Sequence, residues 1–277
     1  RRLTVGPPDN PQHPRAFPAV FGLQTAPVLE FARCLDRLRR AQSGKRCGGV
    51  MARNAVFFFS AFLLATLIAF WPTYFTRLES IASWRVHAHG ALLFAWCLLL
   101  IAQGWLIRDR RAEWHRALGK LSWVLAPLIV VSSLVVEHGT LARAAGAYNA
   151  EALYFAYVIP ALLALFALSW GLAMFHRRTP ALHMRYIICT PLTMFDPVFA
   201  RILGVHFGID FGPGQMITYA LVDAILLWLC FIDRHTRYRV FHGMLIAFVL
   251  LQLPTFFVYK TAWWPGVVAW FAGLPIP

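Results

Sequence analysis

From residue 55 onward, long apolar runs alternate with short polar segments, most of them basic. Seven runs stand out: Ala55–Phe75, Val86–Ile107, Leu118–Glu137, Ala152–Phe175, Met184–Gly204, Met216–Ile232 and Val240–Tyr259. A helix crosses the hydrocarbon core with about 20 predominantly apolar residues. No stretch alternates with a period of two over about ten residues, the signature of a membrane β-barrel strand. The pattern predicts an all-α fold: a polytopic membrane helix bundle of about seven transmembrane helices. Pro127, Pro160, Pro191, Pro197 and Pro254 fall inside the runs. Membrane helices tolerate such prolines because neighbouring groups satisfy the freed backbone.

Residues 1–50 do not share this pattern. They carry nine basic residues against three acidic ones and no Met; the first Met is Met51. The expectation is a basic N-terminal extension, disordered or upstream of a true start at Met51, followed by a membrane domain over 51–277. Val28, Phe31, Leu35 and Leu38 recur at helical spacing among arginines, a stripe suited to an anionic membrane surface.

Composition narrows the class. Hydrophobic residues make up 59% and charged residues 14%, with a mean hydropathy of +0.59. Soluble domains carry about 25% charged residues, so a soluble enzyme, a disordered regulator and a disulfide-stapled module are all excluded. The net charge of +14 is split evenly between the residues before the first run and the short segments between and after the runs. It therefore reads as topology signal and contact with anionic lipid headgroups on the cytoplasmic side, not as nucleic-acid binding. Arg108, Arg110, Arg111, Arg116, Lys120, Arg177, Arg178, Arg185, Arg234, Arg237 and Arg239 fall on one side, and Arg77, Arg85, Arg143 and Lys260 on the other. That asymmetry predicts a cytoplasmic N-terminus and an outside C-terminus. Arg outnumbers Lys 23 to 3 in an Ala- and Trp-rich chain, which points to a GC-rich bacterial genome and the inner membrane. No C-x-x-C pair occurs, so neither a disulfide framework nor a zinc ribbon is indicated.

Ionisable groups inside membrane helices are costly, so each is a site candidate. His87 and His89 open the second run, Glu137 and His138 close the third, Asp196 and Arg201 lie in the fifth and Asp223 in the sixth. At about 1.5 Å per residue, Asp196 lies roughly 12 Å below the outer end and Asp223 roughly 10 Å. These groups are expected to share a polar pocket in the outer half of the bilayer, with Asp223 the direct partner of Arg201. His87 and His89 are about 200° apart on a helix and do not converge on one ion. A second set, His115, Arg116, His183 and Arg185, lies at the cytoplasmic ends with His176, His235 and His242. It reads either as a solvated basic face or as imidazoles for a metal or haem. No metal site is assigned from spacing.

The string His87-x-His89-Gly90, then Gln103, Arg108 and His115-Arg116-x-x-Gly119, with His183 and Arg185 later, resembles the predicted bacterial membrane proteins grouped as domain-of-unknown-function family 2306. The likeness covers roughly residues 86–204. Met184 and Arg185 follow His183 directly here, without the family's H-x-x-M-x-R spacing. The resemblance implies a membrane helix fold and no activity.

The function expected is that of a multi-pass inner-membrane protein whose outer-half pocket takes a quinone, a haem b or another small molecule. The alternatives are a structural or assembly protein and a small-molecule transporter. No G-x-S-x-G, H-E-x-x-H, P-loop or G-x-G-x-x-G motif supports a hydrolase or nucleotide reading.

Overall fold

The computed structural model describes residues 54–81 and 83–276. The expectations for residues 1–50, including the start at Met51, lie outside them. The described chain is helical, with no strand among the described residues. Its helices are α1 (Asn54–Phe70), α2 (Trp84–Arg108), α3 (Ala112–Gly119), α4 (Ser122–Arg143), α5 (Ala150–Phe175), α6 (Pro180–Leu192), α7 (Phe195–Phe207), α8 (Phe211–Ile232), α9 (Val240–Gln252) and α10 (Trp264–Ala272).

Among the described residues, six helical segments are long and apolar enough to cross a membrane: Trp84–Arg108, Ala112–Arg143, Ala150–Phe175, Pro180–Phe207, Phe211–Ile232 and Val240–Lys260. They coincide with the second to seventh expected runs. The first run is shorter than expected: α1 ends at Phe70, and the chain turns at Trp71–Tyr74 instead of continuing to Phe75. Pro72 explains the stop, since it lacks the N–H that a helix interior requires.

The prolines act differently by position. Pro127 and Pro160 are accommodated within α4 and α5. Pro191 and Pro197 flank a break at Thr193–Met194, which splits the fifth span into α6 and α7. After Gln252 the last span leaves the α-helical path at Pro254 and continues as two 3-10 turns, Leu253–Phe256 and Val258–Lys260. The sixth span starts at Phe211, five residues before the expected Met216. Gly212-Pro213-Gly214 reads as a breaker in sequence. Yet Pro213 falls in the first turn, where its missing N–H has no helical partner to lose. Gly208 closes α7 in the left-handed region (φ 65°), which glycine adopts without a Cβ penalty.

The helices pack as α2 on α4, α4 on α5, α5 on α6, and α8 between α7 and α9, with α10 against α4 and α5. One core joins Leu165 of α5, Cys189 and Leu192 of α6, Leu226 of α8 and Phe248 of α9. Another joins Phe59 of α1, Trp96 and Leu100 of α2, Ile129 of α4 and Phe166 of α5. Between helices the approach is close: a Cβ on Gly104 of α2 would stand 3.3 Å from the Val56 backbone nitrogen of α1. Small residues allow this kind of contact between membrane helices. Outward, large apolar side chains such as Leu128, Leu227, Trp228, Phe231 and Leu250 are exposed. So much apolar surface on the outside of a bundle matches a lipid solvent better than water.

Candidate functional site

Two polar clusters lie within the bundle, one buried and one half-buried, and neither is the pocket expected from sequence. The first gathers where two spans break. Asp196 sits in the first turn of α7, just past the Thr193–Met194 break, and accepts a hydrogen bond from the Gln215 amide of α8. Gln252 ends α9 at the other break and donates to Asp223 Oδ1 of α8 at 3.2 Å. Asp196, Tyr219 and Gln252 line one cavity together with Val158, Leu162 and Phe248. Its volume is about 10 Å³, the scale of a single water molecule. Tyr219 also shares a hydroxyl–hydroxyl hydrogen bond with Tyr154 of α5. Gln215 Oε1 is buried without a hydrogen-bond partner among the described residues.

This arrangement corrects the expected pocket in three ways. First, Arg201 does not pair with Asp223 or Asp196. Its guanidinium donates to Thr73 Oγ1 at 3.0 Å and lies 4.5 Å over the Phe70 ring, at the end of α1. The reason is rotational: helix-rise arithmetic places Arg201 at a suitable height but leaves open which neighbour it faces. Second, Asp223 stands further from the start of its helix than expected. With α8 starting at Phe211, Asp223 is 12 residues in, about 18 Å along the helix. Third, His89 belongs elsewhere, with Nδ1 3.2 Å from Ser132 Oγ of α4.

His87 is held by the connection before α2. Its Nδ1 is 3.0 Å from the Tyr74 hydroxyl and its Nε2 is 2.9 Å from the Ile81 carbonyl oxygen. Gly90, one turn on, leaves room for the Tyr74 ring, whose hydroxyl would be 3.4 Å from a Cβ there. His87 and Gly90 thus clasp Tyr74 while His89 reaches α4, so the two histidines point apart, as helical geometry requires. Glu137 is buried in α4, and His138 Nε2 donates to the Leu274 carbonyl at 3.0 Å.

The second cluster lies near the other end of α6. Gln103 of α2, His115 of α3 and His183 of α6 come together there, and Arg116 is exposed beside them. Arg185 does not join them. It is fully buried and forms a two-pronged ion pair with Asp233, at the end of α8; its Nε donates to Oδ2 at 2.8 Å. A further donor bonds the Ala181 carbonyl, and the guanidinium lies 4.9 Å over the Tyr238 ring.

Asp233, Gln215, Gln252, Tyr154 and Tyr219 escape a sequence search confined to ionisable groups within apolar runs. The available signal is neutral: a Gln or Tyr at membrane depth also needs a hydrogen-bond partner. For Asp233 the signal is a lone acid ahead of Arg234, Arg237 and Arg239. No protein family, curated protein or solved structure matches the chain.

Proposed function

We propose that this chain is a multi-pass membrane protein that takes up a proton or small monovalent cation at the Asp196–Asp223 cluster, in support of transport. The observation that carries this reading is the meeting of two broken spans at one cavity. The α6–α7 break presents Asp196, the end of α9 presents Gln252, and Asp223 stands one hydrogen bond behind. Discontinuous helices are a common way to build ion and substrate sites at membrane depth. A cavity on the scale of one water fits an ion or proton; drug-sized ligands occupy about 300–1,000 Å³. The quinone and haem b readings therefore fall behind the transporter reading.

Orientation and location complete the proposal. Seven spans, with α1 as the first, rest on the apolar runs, while the charge asymmetry supports a cytoplasmic N-terminus and the composition a bacterial inner membrane. Kinship with domain-of-unknown-function family 2306 rests on His87, His89, Gly90, Gln103, His115, Arg116 and Gly119.

The test is flux. Protein reconstituted in liposomes is given a proton gradient or a sodium gradient, and internal pH and ²²Na⁺ are followed. Flux above empty liposomes, lost in Asp196→Asn and Asp223→Asn, is expected. Wild-type flux equal to empty liposomes under both gradients overturns the proposal. One observation favours a purely structural reading: Asp196–Gln215, Asp223–Gln252 and Tyr154–Tyr219 are already hydrogen-bonded in pairs. That reading expects no flux, together with lower stability in both variants.

A further inference from the structure

The cluster of Gln103, His115 and His183 has no role in the carboxylate reading. Thirteen residues of the α6–α7 span, roughly 20 Å of helix, separate His183 from Asp196. Among the described residues, both amide atoms of Gln103 and Nδ1 of His115 are buried without a hydrogen-bond partner. Native interiors rarely leave such groups unmatched, and each calls for an explanation.

The three side chains are neighbours. His115 and Gly119 are four residues apart on α3 and so share one face. The Gln103 amide lies over Gly119, with Nε2 3.6 Å from the position of a Cβ there. The Gln103 backbone lies beside the His115 ring. The His183 ring stands 6.3 Å from that of His115, centroid to centroid, and nearly perpendicular to it at 84°. His183 Nδ1 is 2.9 Å from the Ala173 carbonyl oxygen of α5. A carbonyl only accepts, so Nδ1 carries the proton and Nε2 of the neutral ring keeps its lone pair. Metal-binding histidines are usually held in this way by their second nitrogen.

We infer that His115 and His183 bind a transition-metal ion of the class imidazole prefers, such as Zn²⁺, with the Gln103 amide oxygen as a third donor. At the tetrahedral angle of a four-coordinate site, an ion about 2.1 Å from two imidazole nitrogens sets the ring centroids roughly 5.3 Å apart. The rings stand 6.3 Å apart, so binding draws them together by about 1 Å. No group of three His, Cys, Asp or Glu side chains suited to a metal occurs among the described residues. Two imidazoles and an amide therefore leave a coordination position open, as in sites that admit water or a small ligand. Arg116 is exposed, so solvent screens its charge from the ion.

The experiment uses the full chain in detergent, purified without a histidine tag and stripped with a chelator. Titration with ZnCl₂ by calorimetry is expected to show one equivalent bound. His115→Ala and His183→Ala are each expected to weaken binding at least tenfold, and Gln103→Leu severalfold. His235→Ala, at an exposed residue, leaves binding unchanged. Co²⁺ in place of Zn²⁺ gives visible absorption bands in the wild type that both histidine variants lose. Variants must match the wild type in circular dichroism and gel filtration; His115→Gln and His183→Gln replace any alanine variant that does not. No stoichiometric Zn²⁺ uptake by the wild type, or uptake unchanged in both histidine variants, overturns the inference. Flux through the Asp196 cluster is scored separately, so either proposal fails without the other.

Discussion

Arg185 of α6 and Asp233 at the end of α8 are each almost completely buried, and the guanidinium meets the carboxylate through two nitrogens. The pair ties the start of the α6–α7 span to the end of α8. Desolvating two charges is costly, so such a pair adds little over an apolar replacement, while half a pair is expensive. Asp233→Leu or Arg185→Leu alone is therefore expected to cost about 3–5 kcal/mol, and the double variant far less. Unfolding in detergent, followed by intrinsic Trp fluorescence, checks this. Losses that simply add in the double variant would show that the two residues act separately.

Arg201 behaves differently because it faces Thr73 and Phe70, not a carboxylate. Arg201→Leu forfeits one hydrogen bond and one cation–π contact and strands no acid. The expected loss is about 1–3 kcal/mol, smaller than that of Arg185→Leu. Arg201→Leu and Asp223→Leu should add within about 0.5 kcal/mol, as residues without shared partners do. A coupling well above that would restore the ion pair expected from sequence.

What the chain discloses in advance, and what it conceals, follows from these residues. Span positions are legible because apolar runs of bilayer length have few alternative uses. The break between α6 and α7 is not legible, since Pro191 and Pro197 look the same in sequence as Pro127 and Pro160, which α4 and α5 accommodate. The start of α8 is not either, because Gly212-Pro213-Gly214 looks the same as a breaker or as a first helical turn. Heights along helices are legible and rotations are not. Asp196, Asp223 and Arg201 were expected to meet, yet each found a different partner: Gln215, Gln252 and Thr73. The His-x-His-Gly string is visible in sequence, but its clasp on Tyr74 and its link to Ser132 emerge only from packing.

Tyr154 and Tyr219 supply a neutral counterpart to the ion pair. Their hydroxyls share one hydrogen bond between α5 and α8, and both residues are buried. Tyr154→Phe or Tyr219→Phe leaves the other hydroxyl without that partner, at an expected cost of about 1–3 kcal/mol. Replacing both removes the orphan, so the double variant should be more stable than the sum of the singles. A double-mutant cycle in detergent measures the difference. Strict additivity would mean that the hydroxyls find other partners.

The orientation prediction turns on α1. Its 17 described residues reach about 26 Å at 1.5 Å each, against a hydrocarbon core of about 30 Å. A small mismatch of this kind is met by local thinning of the bilayer at modest cost. The segments rich in Arg follow α2, α5 and α8, and the poorer ones follow α1, α4 and α7. With α1 counted as a span, the positive-inside rule puts Arg108–Lys120 in the cytoplasm and the chain end after α10 outside. A reporter active only outside the cytoplasm should therefore work when fused after Pro277 and fail when fused within 108–120. To test α1 itself, Asn54→Cys is introduced into a chain lacking Cys34 and Cys47. It is expected to resist a membrane-impermeant maleimide applied from outside, whereas Ser80→Cys in the same background is labelled. Labelling of both positions from outside would mean that α1 lies on the membrane and does not cross it, leaving six spans.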